Sequence, residues 1–388
     1  MTDSQQQLED LLAQSPDSVA DRVLKKLEWF KENTTSFVLY GAGTLGCAVR
    51  EKLRELAIEP LAFADDTPEK QGALIAGLPV MSPGQVVERF GSDTAFVVTI
   101  LNPQLSFIHA QKRLQKITEA PVISFLSLAH KYPDVLLPYY QFEKPTSLLS
   151  KASTIRDGFK LWSDEESRRQ FVAHIKFRLD LDHEYLPANS PESYFATDVL
   201  PSLPDDTIFV DCGAYDGDSI REFLLRQEDR FARIYALEPD PNNFERLVEY
   251  VISLDSSVAG KIELINAGVG KERKRVPFKA TGNMSAAFSA NGSCSVEVIP
   301  LDEVVAERGN TVFLKFDVEG AESEALAGAT KLFAQQKPFV AISVYHRPSD
   351  LWQIPLELKT LVPDYKLYLR THGEDGMDVI CYAVPTRI

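Results

Sequence analysis

The sequence predicts an α/β protein that builds the same kind of unit twice. A smaller Rossmann-like α/β domain comes first, followed by a longer Rossmann-like sheet whose last strand runs antiparallel. Three observations predict this. Two apolar runs, Phe37-Val-Leu-Tyr40 and Ile208-Phe-Val-Asp211, each lead into a glycine turn, a helical stretch, a second apolar run and an acid. From residue 208 on, strand-like and helix-like segments alternate, the pattern of a parallel sheet. The last two strand segments, 365–369 and 378–383, have only Thr371 to Gly376 between them. That is too short for a crossover helix, so they pair antiparallel.

At 388 residues the chain is comfortable for two domains, and 44% apolar with 25% charged residues is ordinary globular composition. The formal net charge of −15 argues against a nucleic-acid backbone or an anionic membrane as principal partner. Cys47, Cys212, Cys294 and Cys381 are far apart and form no C-x-x-C pair, which points to reduced thiols in a cytoplasmic protein. Met-Thr-Asp-Ser-Gln-Gln-Gln has neither the basic start nor the apolar core of a signal peptide, and no apolar run suffices to span a bilayer.

Residues 1–35 form a helical segment. Val19, Val23, Leu24, Leu27 and Phe30 recur at helical spacing, predicting a helix over 18–32 that Asn33-Thr34 stops. Residues 36–130 read as the first Rossmann-like domain. Gly41-Ala-Gly43-Thr-Leu-Gly46 is a full G-x-G-x-x-G, and Asp65-Asp66 closes the next strand about 20 residues on. Strands at 78–81, 95–100 and 121–125 and a helix at 108–117 complete about half a dinucleotide fold. The stretch from Phe63-Ala-Asp-Asp-Thr-Pro-Glu-Lys-Gln-Gly72 through Gly77-Leu-Pro-Val-Met-Ser-Pro83 resembles the small domains attached to sugar-modifying enzymes. For Gly41, Gly43, Gly46 and Asp65 three readings stay open: a nucleotide or nucleotide-sugar, NAD, or a scaffold and homo-oligomer contact.

Residues 131–204 read as a helical connector. Ser163-Asp-Glu-Glu166 has the form of a capping box for a helix to about Leu181, with Phe171, Ile175 and Arg178 along it. Pro187, Pro191, Pro201 and Pro204 then break the chain. Tyr194-Phe195 is either a wall beside the second domain's ligand or plain packing.

Residues 205–388 carry the longer sheet. Its first turn is not G-x-G-x-x-G but Asp-x-Gly-x-x-x-Gly, with acids at Asp211, Asp216 and Asp218. A pyrophosphate needs bare amides at a helix N-terminus, and these anions would repel it. They suit the sulfonium and ammonium of S-adenosylmethionine instead. The next apolar run ends at Glu238-Pro239-Asp240, where a carboxylate can accept from both ribose hydroxyls. Further elements are a helix at 242–252, a strand at 262–265 leading to Asn266-Ala267, and paired strands at 275–279 and 296–299. The last two bracket Gly282 to Gly292, a polar loop that is either a lid or a hairpin tip. A strand at 311–316 ends at Asp317-Val-Glu319-Gly320, and a helix covers 321–333. A strand at 339–345 ends at His346-Arg347, and a helix lies near 350–361.

These pieces resemble the FkbM family of methyltransferases. The resemblance rests on Phe209-Val-Asp211-Cys-Gly213-Ala-Tyr-Asp-Gly217, Glu238-Pro-Asp-Pro-Asn-Asn-Phe244, Asn266-Ala-Gly268-Val-Gly270, Leu301-Asp-Glu-Val304 and Lys315-Phe-Asp317-Val-Glu319-Gly-Ala-Glu322. It covers roughly 205–385, with Tyr215 standing where the family commonly has Asn. The resemblance implies the class I methyltransferase sheet and O-methylation of a hydroxyl on a small molecule, with a sugar or glycan precursor favoured by the N-terminal unit.

On this reading Gly213, Ala214, Tyr215 and Gly217 pass beside the methionine end of the cofactor, where Asp211 meets the ammonium directly or through water and Asp218 lies close by. Glu238 and Pro239 hold the ribose, and Asn266 and Ala267 meet adenine. Lys315, Asp317 and Glu319 share a face by strand alternation. Asp317 orients cofactor or acceptor, and either Asp317 or His346 is the general base. Asp317, Glu319 and Glu322 could chelate Mg²⁺, but no metal is expected. Two alternatives remain: an NAD-dependent sugar-nucleotide oxidoreductase or epimerase, and a non-catalytic nucleotide-binding protein. The first draws on Tyr140-x-x-x-Lys144, although Pro138 and Pro145 bracket that pair.

Overall fold

A computed structural model describes residues 2–31, 35–279, 287–288, 294–306 and 309–386. The chain divides into two compact units. The first comprises Met1–Ser153, Arg169–Asn189 and Gly373–Asp378; the second comprises Thr154–Arg168, Ser190–His372 and Val379–Ile388. The 131–204 segment is thus divided between the two. No helix among the described residues is long and apolar enough to cross a membrane.

The first unit holds β1 (Phe37–Tyr40), β2 (Phe63–Ala64), β3 (Leu74–Ile75), β4 (Leu78–Met81), β5 (Ala95–Val98) and β6 (Val122–Ser124), in the order β3-β4-β2-β1-β5-β6. All neighbours are parallel except the short β3–β4 pair. β1 and β5 are buried along their whole length, so they read as continuous apolar runs. The helix expected over 18–32 is Pro16–Lys25, capped by Ser15 with proline at its first position. Leu27 and Phe30 still reach the core from the turns beyond it, and Asn33-Thr34 lies outside the described residues.

The second unit opens with β7 (Ile208–Cys212), β8 (Arg233–Leu237) and β9 (Ile262–Ile265). A side sheet follows: β10 (Gly268–Val269), β11 (Lys274–Lys279), β12 (Ala287–Phe288) and β13 (Cys294–Ile299), ordered β10-β13-β11-β12. Then come β14 (Val312–Phe316), β15 (Phe339–Ser343), β16 (Lys366–Thr371) and β17 (Val379–Val384). The main sheet runs β16-β17-β15-β14-β7-β8-β9, and β17 is antiparallel to both its neighbours. This is the class I methyltransferase layout. Apart from the backbone of β12, the polar 282–292 loop lies outside the described residues.

Beneath β7 and β14 the rings of Phe195, Phe209, Phe223 and Phe313 stack, with Phe209 4.6 Å from Phe223 and 5.5 Å from Phe313. Each buried phenylalanine contributes about 1.5–3 kcal/mol, so this cluster anchors the two strands whose tips carry the site. Two local expectations are corrected. Ser163 does not cap the helix Glu165–Asp180. Asp164 accepts the amide of Ser167 at 2.8 Å, while the Ser163 hydroxyl accepts the Leu367 amide. The helix expected at 321–333 is two, Glu322–Ala327 and Thr330–Gln336. They part at Gly328, where a Cβ would lie 2.0 Å from the Gly270 carbonyl. Asp302, part of the family-like Leu-Asp-Glu-Val piece, accepts the amides of Lys331 and Leu332 and so caps the second.

Candidate active site

The strand β7 carries Asp211 as its penultimate residue and ends at Cys212, and the chain then turns sharply. The amides of Gly213 and Ala214 both donate to the Leu237 carbonyl at the tip of β8, at 2.9 and 3.0 Å. Gly213 and Gly217 have φ of 84° and 88°, a region that costs an L side chain energy. Both also face close neighbours. A Cβ on Gly213 would stand 1.9 Å from the Asp317 carbonyl, and one on Gly217 would stand 2.5 Å from the Tyr250 ring. These glycines therefore serve the approach of protein to protein as much as any approach to a ligand. Tyr215 follows at φ 49°, with the Arg246 guanidinium over its ring.

The acids of this turn already have partners. Asp211 is fully buried, and its Oδ1 accepts from Lys315 Nζ at 2.9 Å; the same ammonium donates to the Gly213 carbonyl at 2.7 Å. Burial pushes Asp211 up, partly offset by Lys315, to about 6. Burial would lower Lys315, but the charges of Asp211, Asp317 and Asp218 outweigh it and hold it well above its ordinary value. Within the chain, Asp211 Oδ1 thus meets the positive charge of Lys315. Its Oδ2 is buried without a hydrogen-bond partner among the described residues. Asp216 pairs with Arg221 at 3.1 Å, and Asp218 is exposed and accepts the Ser219 amide.

Glu238 is buried and oriented on both oxygens: Oε2 accepts the Tyr215 amide at 2.9 Å, and Oε1 the Asp240 amide at 2.8 Å. Burial raises it to about 7 against those bonds. A carboxylate has about four lone-pair sites, so ribose hydroxyls remain within its capacity. Pro239 is half-buried, Ala267 is buried, and exposed Asn266 donates to the Glu238 carbonyl at 2.8 Å.

At the tip of β14 stands Asp317, with 28% of its side chain exposed. Its Oδ1 accepts from the Ser343 hydroxyl at 3.1 Å and lies 3.3 Å from His346 Nε2. The other imidazole nitrogen, Nδ1, is 2.7 Å from Glu322 Oε1, which also accepts the amides of Val318 and Gly320. Glu319, at φ 51°, lies 4.0 Å from Nε2. Burial would lower His346, yet Glu322, Glu319 and Asp317 together raise it to about 10. Burial likewise raises Asp317, but Lys315, His346 and bonds from Tyr194 and Ser343 bring it below its ordinary value. At neutral pH the pair is imidazolium and carboxylate. Of the two candidate bases, His346 already carries its proton and Asp317 has lone pairs to offer.

A stability prediction follows from the raised imidazole. Its contribution is fully present below pH 6.5, the ordinary value, and is lost as pH rises through about 10. The melting temperature of the wild type should fall across that window more steeply than that of His346→Gln. Equal slopes in the two proteins would show that the imidazole is not held charged.

Ser343 and Tyr194 also belong to this constellation; the sequence singled out Tyr194 only as a possible wall beside the ligand and did not single out Ser343. Ser343 sits at the end of the apolar run Phe339-Val-Ala-Ile, where nothing but strand alternation could have placed its hydroxyl on the face of Asp317. No group of three or more His, Cys, Asp or Glu side chains among the described residues is arranged to hold a metal ion.

In the first unit the three glycines divide the work of the fingerprint. Gly41, at φ 111°, makes the turn; Gly43 faces open space; a Cβ on Gly46 would lie 2.0 Å from the Gly41 carbonyl. Asp65 is not free at the ribose position: Oδ2 accepts from the Ala42 amide at 2.8 Å and Lys70 at 3.0 Å, and Oδ1 from the Thr67 amide. Tyr140 has φ 48° and Lys144 only precedes the helix Pro145–Ser150, so the two do not share a helix as the oxidoreductase reading requires.

Residues 211–374 match the methyltransferase FkbM domain. Hexuronic acid methyltransferase AglP of Haloferax volcanii is 28% identical over 135 residues, which are 33% of this chain and 54% of that protein. The chain thus spans about half the length of this curated relative. The crystal structure of methyltransferase FkbM from Methylobacillus flagellatus KT superposes with a TM-score of 0.77 at 23% identity, covering 98% of this chain and 100% of that one. At that identity the likeness establishes the fold. The second unit carries a methyltransferase domain of the FkbM type, and every residue of its candidate active site named in the sequence falls within the matched stretch.

Proposed function

We propose that the second unit is an S-adenosylmethionine-dependent O-methyltransferase whose acceptor is a hydroxyl of an acidic carbohydrate. One observation carries the reading. The bare α-carbon of Gly213 lies against the Asp317 carbonyl, so the cofactor turn and the carboxylate at the tip of β14 are locked side by side. Two features of the turn fit the cofactor: Glu238 is oriented by two amides, and Asp211 Oδ2 is buried and unpartnered among the described residues. When bound, S-adenosylmethionine supplies the electrophilic methyl group.

The chain's own residues supply position and proton acceptance. Asp317 takes the hydroxyl proton. A hydroxyl oxygen that is being alkylated loses its proton readily, so a carboxylate held below its usual range is basic enough. His346, as imidazolium, keeps Asp317 ionised, and Glu322 fixes the ring. Alignment of the oxygen with the methyl group removes several further kcal/mol from the barrier.

The acidic acceptor is supported by Arg347. This exposed residue follows His346 directly, and its side chain lies over Gly320, where a Cβ would meet Nε at 2.9 Å. Its guanidinium forms no ion pair among the described residues, though its charge acts on Asp350, which accepts the Arg347 amide at 2.7 Å. An exposed cation beside the strand tips suits a carboxylate on the substrate, and the AglP relative is named for a hexuronic acid.

The test is calorimetry with S-adenosylhomocysteine, followed by transfer of labelled methyl to hexuronic acids and to neutral hexoses. Binding with preference for the acidic sugars is expected; absence of binding would overturn the reading. Arg347→Ala should raise KM for a hexuronate about tenfold and leave a neutral hexose nearly unchanged. In the first unit a Cβ on Gly43 would meet nothing within 4 Å, while the Asp65 oxygens are engaged. Titration with UDP-sugars and with NAD distinguishes a nucleotide-sugar site, an NAD site and a scaffold.

A further inference from the structure

The 190–198 segment reaches the candidate active site in a strained conformation that its surroundings enforce. Glu192 and Tyr194 have φ of 66° and 64°, values an L residue adopts only when other contacts hold it there. Those contacts are visible. The Ser190 amide donates to the Thr371 carbonyl at 2.7 Å, and the Ser190 carbonyl lies 2.9 Å from His372 Nδ1. Glu192 accepts from the Thr197 hydroxyl at 2.8 Å and pairs with Arg226 at 3.3 Å. Phe195 is buried against Phe209 and Phe313, directly under β7 and β14.

With its neighbours fixed, Tyr194 has one place to go. Its ring covers the Lys315 ammonium at 5.0 Å, and its hydroxyl lies 3.3 Å from Ser343 Oγ, which donates to Asp317 Oδ1. Ser343 is fully buried, so this relay is shielded from water. Ser343 and His346 both address Oδ1, and Tyr194 also bonds the carboxylate itself.

We propose that Tyr194 is a positioning residue for methyl transfer, acting on Asp317 both directly and through Ser343 to hold its carboxylate in the one rotamer that presents its remaining lone pairs to the acceptor hydroxyl. The inference rests on Asp317 being the proton acceptor. The relay also helps keep Asp317 ionised, together with Lys315 and His346 and against Asp211, Asp218, Glu319, Glu322 and Asp350.

The first readout needs no acceptor: the ¹³C-carboxyl titration of Asp317 in the protein with S-adenosylhomocysteine, assigned by its loss in Asp317→Asn. Tyr194→Phe removes only the hydroxyl, and Ser343→Ala removes the middle of the relay. Each should raise the Asp317 midpoint by about half to one pH unit, with affinity for S-adenosylhomocysteine unchanged. The acidic limb of kcat on a hexuronic acid should move with it. kcat should fall about tenfold at constant KM, and the double variant should lose less than the two single losses combined. An unmoved midpoint in both variants, or fully additive losses, would overturn the proposal. If Tyr194→Phe does not fold, Ser343→Ala gives the same reading. Full activity in Asp317→Asn would instead overturn the assignment of the base.

Discussion

Asp317→Asn should lower methyl transfer about 10²–10⁴-fold while S-adenosylhomocysteine binds nearly as well as to the wild type. The amide keeps the size of the carboxylate and can still accept from Ser343, so the rotamer and the packing survive. What disappears is the charge and the basic lone pair. His346 is still held by Glu322 at 2.7 Å, so the ring stays in place and the loss reports proton acceptance rather than collapse. Single-turnover transfer from labelled cofactor and calorimetry on the same sample separate the two effects. Activity within about tenfold of wild type would remove Asp317 from the role of base.

Gly213→Ala should be the most damaging substitution of a single methyl group. Its Cβ would stand 1.9 Å from the Asp317 carbonyl, which is backbone and cannot swing aside, and φ 84° is unfavourable for alanine in any case. Left-handed strain of about 1 kcal/mol adds to overpacking of about 1–3 kcal/mol. For a unit of this size that is a fall of roughly 5–10 °C in melting temperature. The tips of β7 and β14 must also separate, so cofactor affinity and transfer should fail together. Gly43→Ala in the first unit provides the contrast, because nothing lies within 4 Å of its would-be Cβ. That variant should melt within about 1 °C of wild type, and a large drop would mean the clash argument is misplaced.

Much of this was legible in the sequence, for identifiable reasons. The main-sheet strands of the second unit were found because each is an apolar run, and β7, β8 and β14 carry an acid at the tip, at Asp211, Glu238 and Asp317. The antiparallel β17 followed from the lack of room for a helix before it. The failures came where a residue's partner lies far along the chain. That Asp211 also pairs with Lys315, 104 residues later, cannot be seen from the turn. Glu322 had no assigned role beyond a possible part in Mg²⁺ chelation that was not expected, and its bonds to His346 and to two amides appear only in three dimensions. Ser163 fitted a capping pattern, but the neighbouring Asp164 took the position and left the hydroxyl to a strand 204 residues away. Local patterns identify elements and turns; the charge state of a site depends on which tips the sheet order brings together.

The contact between Gly213 and Asp317 has a consequence for how such a protein diversifies. Because two strand ends interlock there with no spare volume, neither can drift without the other, and that junction is closed to stepwise remodelling. New acceptor preferences must arise at the periphery, where Arg347 and the side sheet from β10 to β13 are not wedged against the turn. A library randomised at those outer positions should yield altered sugar selectivity, whereas one randomised at the interlock should yield mostly dead clones.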